Sequence, residues 1–220
     1  MVWFIFTLFT ALLEAIAVQK NIHRLELFAK PAVMVFLLLW LYSNTGLQGI
    51  ALWFGLGILF SLIGDVLLIS SSDRMFTIGL GSFLLAHVFY LIGFKDELIY
   101  FSAWSLVLIF FIYMNGLRLL RRIVSAMRTQ EQSTLTSPVI LYALVISLML
   151  YAAMSTIFNP AWKTGAAFFV SVGAFLFYLS DLILAWNKFV SPVRHGPLLN
   201  IVTYHLGQIG LIAGLISQLG

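Results

Sequence analysis

Two aspartates stand inside long apolar runs of this chain. Asp65 lies in residues 51–70, ALWFGLGILFSLIGDVLLIS, and Asp181 in residues 164–186, TGAAFFVSVGAFLFYLSDLILAW. A charged side chain at bilayer depth costs at least about 2.5–3.5 kcal/mol on insertion scales, so a carboxylate kept there is a candidate working group. Two carboxylates brought together in a low-dielectric site cannot both ionise cheaply, and one then holds a proton near neutral pH. An acid and a base thus arise from one residue type. The structural alternative is an aspartate buried against Lys30, Arg74 or a tyrosine.

Several side chains could serve that pair. Lys30, in Ala29-Lys30-Pro31, either snorkels to the interface or binds a phosphate or balances an aspartate. Pro31 beside it reads as a proline of a helix's first turn, where its missing N–H costs nothing. His87, in GSFLLAHVFY, has no interface within reach, whereas His205 stands nearer to one. Tyr90, Tyr178, Tyr204 and Gln208 are candidate hydrogen-bond donors that orient water and tune the carboxyls. Tyr178 precedes Asp181 by three residues and Tyr204 precedes Gln208 by four, so each pair shares a helix face.

Other chemistries find less support. A zinc site from Asp65, Asp181, His87 and His205 is chemically permissible, but these ligands are scattered singly, and no metal ligand is assigned. There is no GxSxG elbow, no HExxH, no P-loop and no GxGxxG in a strand–helix setting. The absence of cysteine removes disulfide and thiolate schemes.

The elements that must position these residues are membrane helices. The chain is 62% hydrophobic and 9% charged, with mean hydropathy +1.05, whereas soluble domains carry about 25% charged residues. Apolar runs recur at the length needed to cross about 30 Å of hydrocarbon. They predict a single all-α domain, residues 1–220, of eight transmembrane helices near 1–18, 26–43, 49–70, 75–94, 99–117, 137–156, 162–186 and 197–218. The first run lacks a basic n-region and contains Glu14, so it reads as a helix of the mature protein rather than a signal peptide. The net charge of +4 is spread over short loops and is no nucleic-acid footprint.

Ten of the twelve Lys and Arg side chains lie in or beside the odd-numbered loops. The positive-inside rule therefore puts those loops in the cytoplasm and both termini outside it. Asp65, Asp181, Lys30, Tyr204, His205 and Glu14 then fall toward the cytoplasmic side. His87, twelve residues into its helix, lies roughly 18 Å deep at 1.5 Å per residue. One polar cavity opening to the cytoplasm is the economical arrangement. Residues 118–136 read as a basic cytoplasmic loop. The short loops point to a bacterial inner membrane.

A faint repeat suggests a parallel four-plus-four architecture. FSLIGDVLL (60–68) resembles FYLSDLILA (177–185), and a histidine follows each aspartate by 22 and 24 positions, His87 and His205. Gly55, Gly57, Gly64, Gly79 and Gly81 are suited to close helix packing.

In order and spacing, AKPAVMVFLLLW (29–40), LFSLIGDVLLI (59–69), FTIGLGSFLLAHVFY (76–90), FYLSDLILA (177–185) and TYHLGQIGLIAG (203–214) resemble the YhhN-like lysoplasmalogenase family of integral membrane proteins. The matched positions include Lys30, Pro31, Gly64, Asp65, His87, Tyr90, Ser180, Asp181, Tyr204 and Gln208. The resemblance implies a hydrolase for the vinyl-ether bond of lysoplasmalogens, with no required metal or other cofactor. Its partners are a lysophospholipid substrate and membrane lipid, and the oligomeric state is left open. Vinyl-ether hydrolysis needs a proton donor for the alkene carbon and an anion that steadies an oxocarbenium ion. Glycosidases meet a similar need with two carboxyl groups.

A transporter is the reading from another class. Paired intramembrane carboxylates with repeat symmetry also describe proton-coupled carriers. Carriers are expected to show polar access on both sides and broken helices at mid-membrane. The polar residues here gather on one side, which favours an enzyme with one opening.

Overall fold

The computed structural model describes residues 1–70, 72–99, 102–129 and 133–220. Eight of its helices are long and apolar enough to cross a membrane. They are α1 (Val2–Gln19), α2 (His23–Thr45), α3 (Ile50–Leu68), α4 (Asp73–Gly93), α6 (Ala103–Thr129), α7 (Thr136–Ser155), α8 (Thr164–Phe189) and α9 (Gly196–Leu219), with a short α5 (Lys95–Ile99) after α4. Each expected span has its counterpart. Large apolar side chains such as Ile5, Phe9, Phe28, Phe110, Phe111 and Phe168 face outward, the pattern of a bundle whose solvent is hydrocarbon.

Two boundaries differ from the sequence reading in an informative way. Residues 118–129, expected in a loop, continue α6 as helix. Their polarity is one-sided: Ile123 and Met127 are buried, whereas Arg118, Arg121, Arg122 and Arg128 are exposed. A strongly amphipathic stretch can remain helical past the hydrocarbon, and a hydropathy window reads it as a break. Residues 130–132 of that expected loop, and 100–101 of the expected fifth helix, lie outside the described residues. The second difference is in α2, which starts at His23 and carries Pro31 within it. Pro31 therefore does not sit in a first turn. Its ring removes the N–H that the carbonyl of Leu27, four residues earlier, would accept.

The strongest seam joins α8 to α9. Glycines there bring the backbones together: a Cβ on Gly207 would meet Phe177 N at 2.7 Å, and one on Gly214 would meet Ala166 O at 2.7 Å. Of the glycines in α3 and α4, Gly57 and Gly64 make room for the rings of Tyr90 and Phe83, while Gly81 faces open space. The pairings α2–α3 and α3–α4 are matched by α7–α8 and α8–α9, and the crossing contact α4–α7 is matched by α9–α2. This is the pattern a parallel duplication produces. The halves differ at α6, which packs on α7 and α8 at the edge of the bundle, whereas α1 packs on α2 and α9.

Candidate active site

The two aspartates belong to two hydrogen-bond networks. Asp65 on α3 accepts from the Tyr204 hydroxyl of α9 at 2.8 Å and has the Lys30 ammonium of α2 at 3.9 Å. Both partners of this ion pair are buried, Asp65 almost completely. Asp181 on α8 accepts from the Tyr142 hydroxyl of α7 at 2.5 Å, and His87 Nε2 of α4 lies 3.0 Å from the same carboxylate oxygen. His87 Nε2 also stands 3.0 Å from the Tyr142 oxygen, so one N–H of the imidazole can be shared between the two.

A third polar chain runs beside the Asp65 network. Tyr90 of α4 donates to Gln208 Oε1 at 2.5 Å, and Gln208 Nε2 donates to Ser61 Oγ of α3 at 2.9 Å. One aromatic ring connects the two aspartate networks. Phe177 of α8 lies 4.6 Å, centroid to centroid, from His87 and 5.3 Å from Tyr204.

The histidines are wired differently from the repeat-based expectation. His87, which follows Asp65 in sequence, serves Asp181 in the other half. His205, which follows Asp181, pairs with Glu14 of α1. The pairing explains how Glu14, fully buried, is tolerated in a lipid-facing bundle: a buried carboxylate needs a hydrogen-bonded counter-group.

Tyr178 shares the Asp181 face as expected, and both line one cavity. Its hydroxyl, however, engages Ser147 of α7. Tyr142 was not among the sequence candidates, because nothing local distinguishes a tyrosine early in an apolar helix from an interface anchor. Its partner is 39 positions away.

The single polar cavity expected from the sequence is divided in two. Asp181, with 12% of its side chain exposed, borders an apolar cavity of about 80 Å³ between α6, α7 and α8, lined also by Gly116, Leu120, Ile146 and Leu182. A larger polar recess of about 670 Å³ opens between α2, α8 and α9, lined by Glu26, Lys30, Asn187, His195 and Asn200. Asp65 lies behind Lys30 and does not line it. Asp65, Asp181, His87 and His205 do not converge, and among the described residues no three acidic or histidine side chains are grouped to hold a metal ion.

Residues 25–215 match the model of the YhhN family. The chain belongs to the YhhN family. All of the matched positions named above fall within that span; Glu14 falls outside it. Among curated proteins this YhhN chain is 27% identical to the lysoplasmalogenase TMEM86B of Homo sapiens over 184 residues, 81% of the chain and 69% of the relative. It is 29% identical to TMEM86B of Sus scrofa over 73% of the chain and 62% of that relative. It is also 29% identical to the lysoplasmalogenase TMEM86A of Bos taurus, over 70% of the chain and 60% of that relative. The chain thus spans about two thirds of the length of these relatives. No solved structure matches it.

Proposed function

We propose that this YhhN protein is an ether hydrolase that cleaves the alkenyl bond of lysoplasmalogens, releasing a fatty aldehyde and a glycerophospho-ethanolamine or -choline. The observation that carries this reading is the pair of aspartates within the bundle, Asp65 buried and Asp181 partly exposed, each held by a tyrosine, whose networks meet at Phe177. The named activity of the relatives points to the same substrate.

In this reading Asp181 handles the proton. It borders the apolar cavity and is hydrogen-bonded to Tyr142 and His87. A proton passes from Asp181 to the alkene carbon, the C=C pair forms the new C–H bond, and the ether carbon becomes an oxocarbenium ion. Asp65, held by Tyr204 and Lys30 on the far side of Phe177, steadies the cation by its charge, and the attacking water gives its proton to the carboxylate that Asp181 has become. The hemiacetal then collapses: Asp181 gives its proton to the alcohol oxygen as the C–O bond to glycerol breaks, and takes back the proton of the hemiacetal hydroxyl as the aldehyde C=O forms. One water is consumed and both carboxyls return to their starting states. Apolar walls restrict water, which strengthens the electrostatic terms. Tyr90, Gln208 and Ser61 fix the interior against which Tyr204 is set, and His205 with Glu14 backs the same wall.

The charge asymmetry of the loops supports both termini outside the cytoplasm and a site toward the cytoplasmic side. We place the protein in a bacterial inner membrane. The deciding experiment is aldehyde release from a lysoplasmalogen by purified, EDTA-treated protein. Release that survives chelation is expected. Absence of aldehyde from every alkenyl-lysolipid would overturn the reading and favour a proton-coupled carrier built on the same aspartates.

A further inference from the structure

We infer that the substrate's phosphate is held by Arg121 and Arg128 at the basic end of a groove between α6 and α7, with its hydrocarbon chain along that groove and its ether bond at the Asp181 cavity. This rests on the hydrolase reading and names where the lipid binds.

Three cavities form one continuous path. The basic recess, about 490 Å³, is lined by Arg121, Ser125, Arg128 and Thr129 with apolar Val124 and Ile140. It shares Leu120 and Ile140 with an apolar groove of about 420 Å³ that runs past Ile109, Tyr113 and Leu148. That groove shares Gly116, Leu120, Ala143 and Tyr178 with the cavity of Asp181. Leu120 lines all three, so the cavity with the carboxylate adjoins the place where the cationic recess meets the apolar groove. A single-chain glycerophospholipid has the matching order: phosphate, reactive ether, hydrocarbon.

The spacing agrees. Gly116 and Leu120 border the Asp181 cavity, and Arg121 follows Gly116 by five residues, about 7.5 Å along the helix at 1.5 Å per residue. This is comparable with the span from the ether oxygen to the phosphate across a glycerol backbone. Among the described residues no carboxylate pairs with Arg121 or Arg128, and both are exposed. Guanidinium groups suit phosphate because they donate two parallel hydrogen bonds. Arg122, by contrast, lies over the Trp186 ring, 5.0 Å from its centroid, and is occupied in packing. Lys30, committed to Asp65, is likewise not the phosphate ligand in this scheme.

The test compares alkenyl-lysophosphatidylcholine with alkenylglycerol, which has the ether and chain but no phosphate. In the R121Q/R128Q variant, KM for the phosphate-bearing lipid is expected to rise about tenfold or more while kcat changes little, the loss of two charge-assisted contacts. Turnover of alkenylglycerol is expected to be unaltered. R121K/R128K is expected to recover part of the KM, since it keeps the charge and loses the paired geometry. Binding of the non-hydrolysable 1-alkyl lysophosphatidylcholine should weaken in parallel, which reads the site without chemistry. Equal loss on both substrates, or no change in KM, overturns the inference. Wild-type protein that binds the alkyl analogue through these arginines yet releases no aldehyde would sink the hydrolase reading alone.

Discussion

His87 and Asp181 are 94 positions apart in the chain and 3.0 Å apart in space. The contact crosses from the first four-helix half to the second. Asp65 is served in the opposite direction, by Tyr204 of α9, 139 positions away. Each aspartate thus takes a donor from the other half, and neither half alone contains a complete network.

Asp181→Asn is expected to lower turnover by about 10²–10³-fold, the usual loss on removing a general acid or base, and Asp65→Asn, which removes the anion that steadies the cation, by a comparable factor. Steady-state aldehyde release by variants that remain folded and monodisperse checks this. Full activity in either variant removes that aspartate from the chemistry.

Tyr142→Phe should keep the fold, because its hydroxyl faces the cavity network while its ring packs in the core. Losing a hydrogen bond to a charged group is worth about 1.5–3 kcal/mol, so kcat should fall about ten- to a hundredfold. An unchanged kcat would show that the 2.5 Å contact with Asp181 has no part in the reaction.

The Lys30–Asp65 pair is expected to be strongly coupled. Lys30→Met leaves Asp65 buried without its countercharge and should cost about 3–5 kcal/mol, the range for breaking a buried pair. The double variant Lys30→Met/Asp65→Asn removes both charges and should recover much of that loss. Thermal unfolding in detergent measures the cycle, and additive single effects would contradict the pairing.

Glycines divide into two classes. Gly214→Leu drives a side chain into the α8 backbone at Ala166 and Val170 and should prevent recovery of folded protein. Gly81→Ala meets nothing within 4 Å and should be neutral or stabilising by up to about 1 kcal/mol, from helix propensity alone. The yield and unfolding temperature of the two variants compare these outcomes directly.

The eight helices were legible because each apolar run answers to one physical length, the thickness of hydrocarbon. Both aspartates, Lys30, His87, Tyr90, Tyr204 and Gln208 were legible because polar groups in lipid need a reason to be there. Their pairing was not. A hydrogen bond between α4 and α8 leaves no trace in either segment: the repeat sets His87 after Asp65 in sequence, whereas in space it bonds Asp181. Tyr142 was missed for the same reason. The arginines of α6 looked like a loop because hydropathy averages over a helix face that is apolar inward and charged outward.

Three buried carboxyl or amide contacts close on one helix: α9 supplies Tyr204 to Asp65, His205 to Glu14 and Gln208 to Tyr90. During synthesis α1, α3 and α4 emerge well before α9. Until α9 inserts, Glu14 lacks His205, and Asp65 has only Lys30. An incomplete chain therefore carries exposed acidic marks within the bilayer, and arrival of α9 erases them. Insertion of the last helix thus completes the polar interior of the first half.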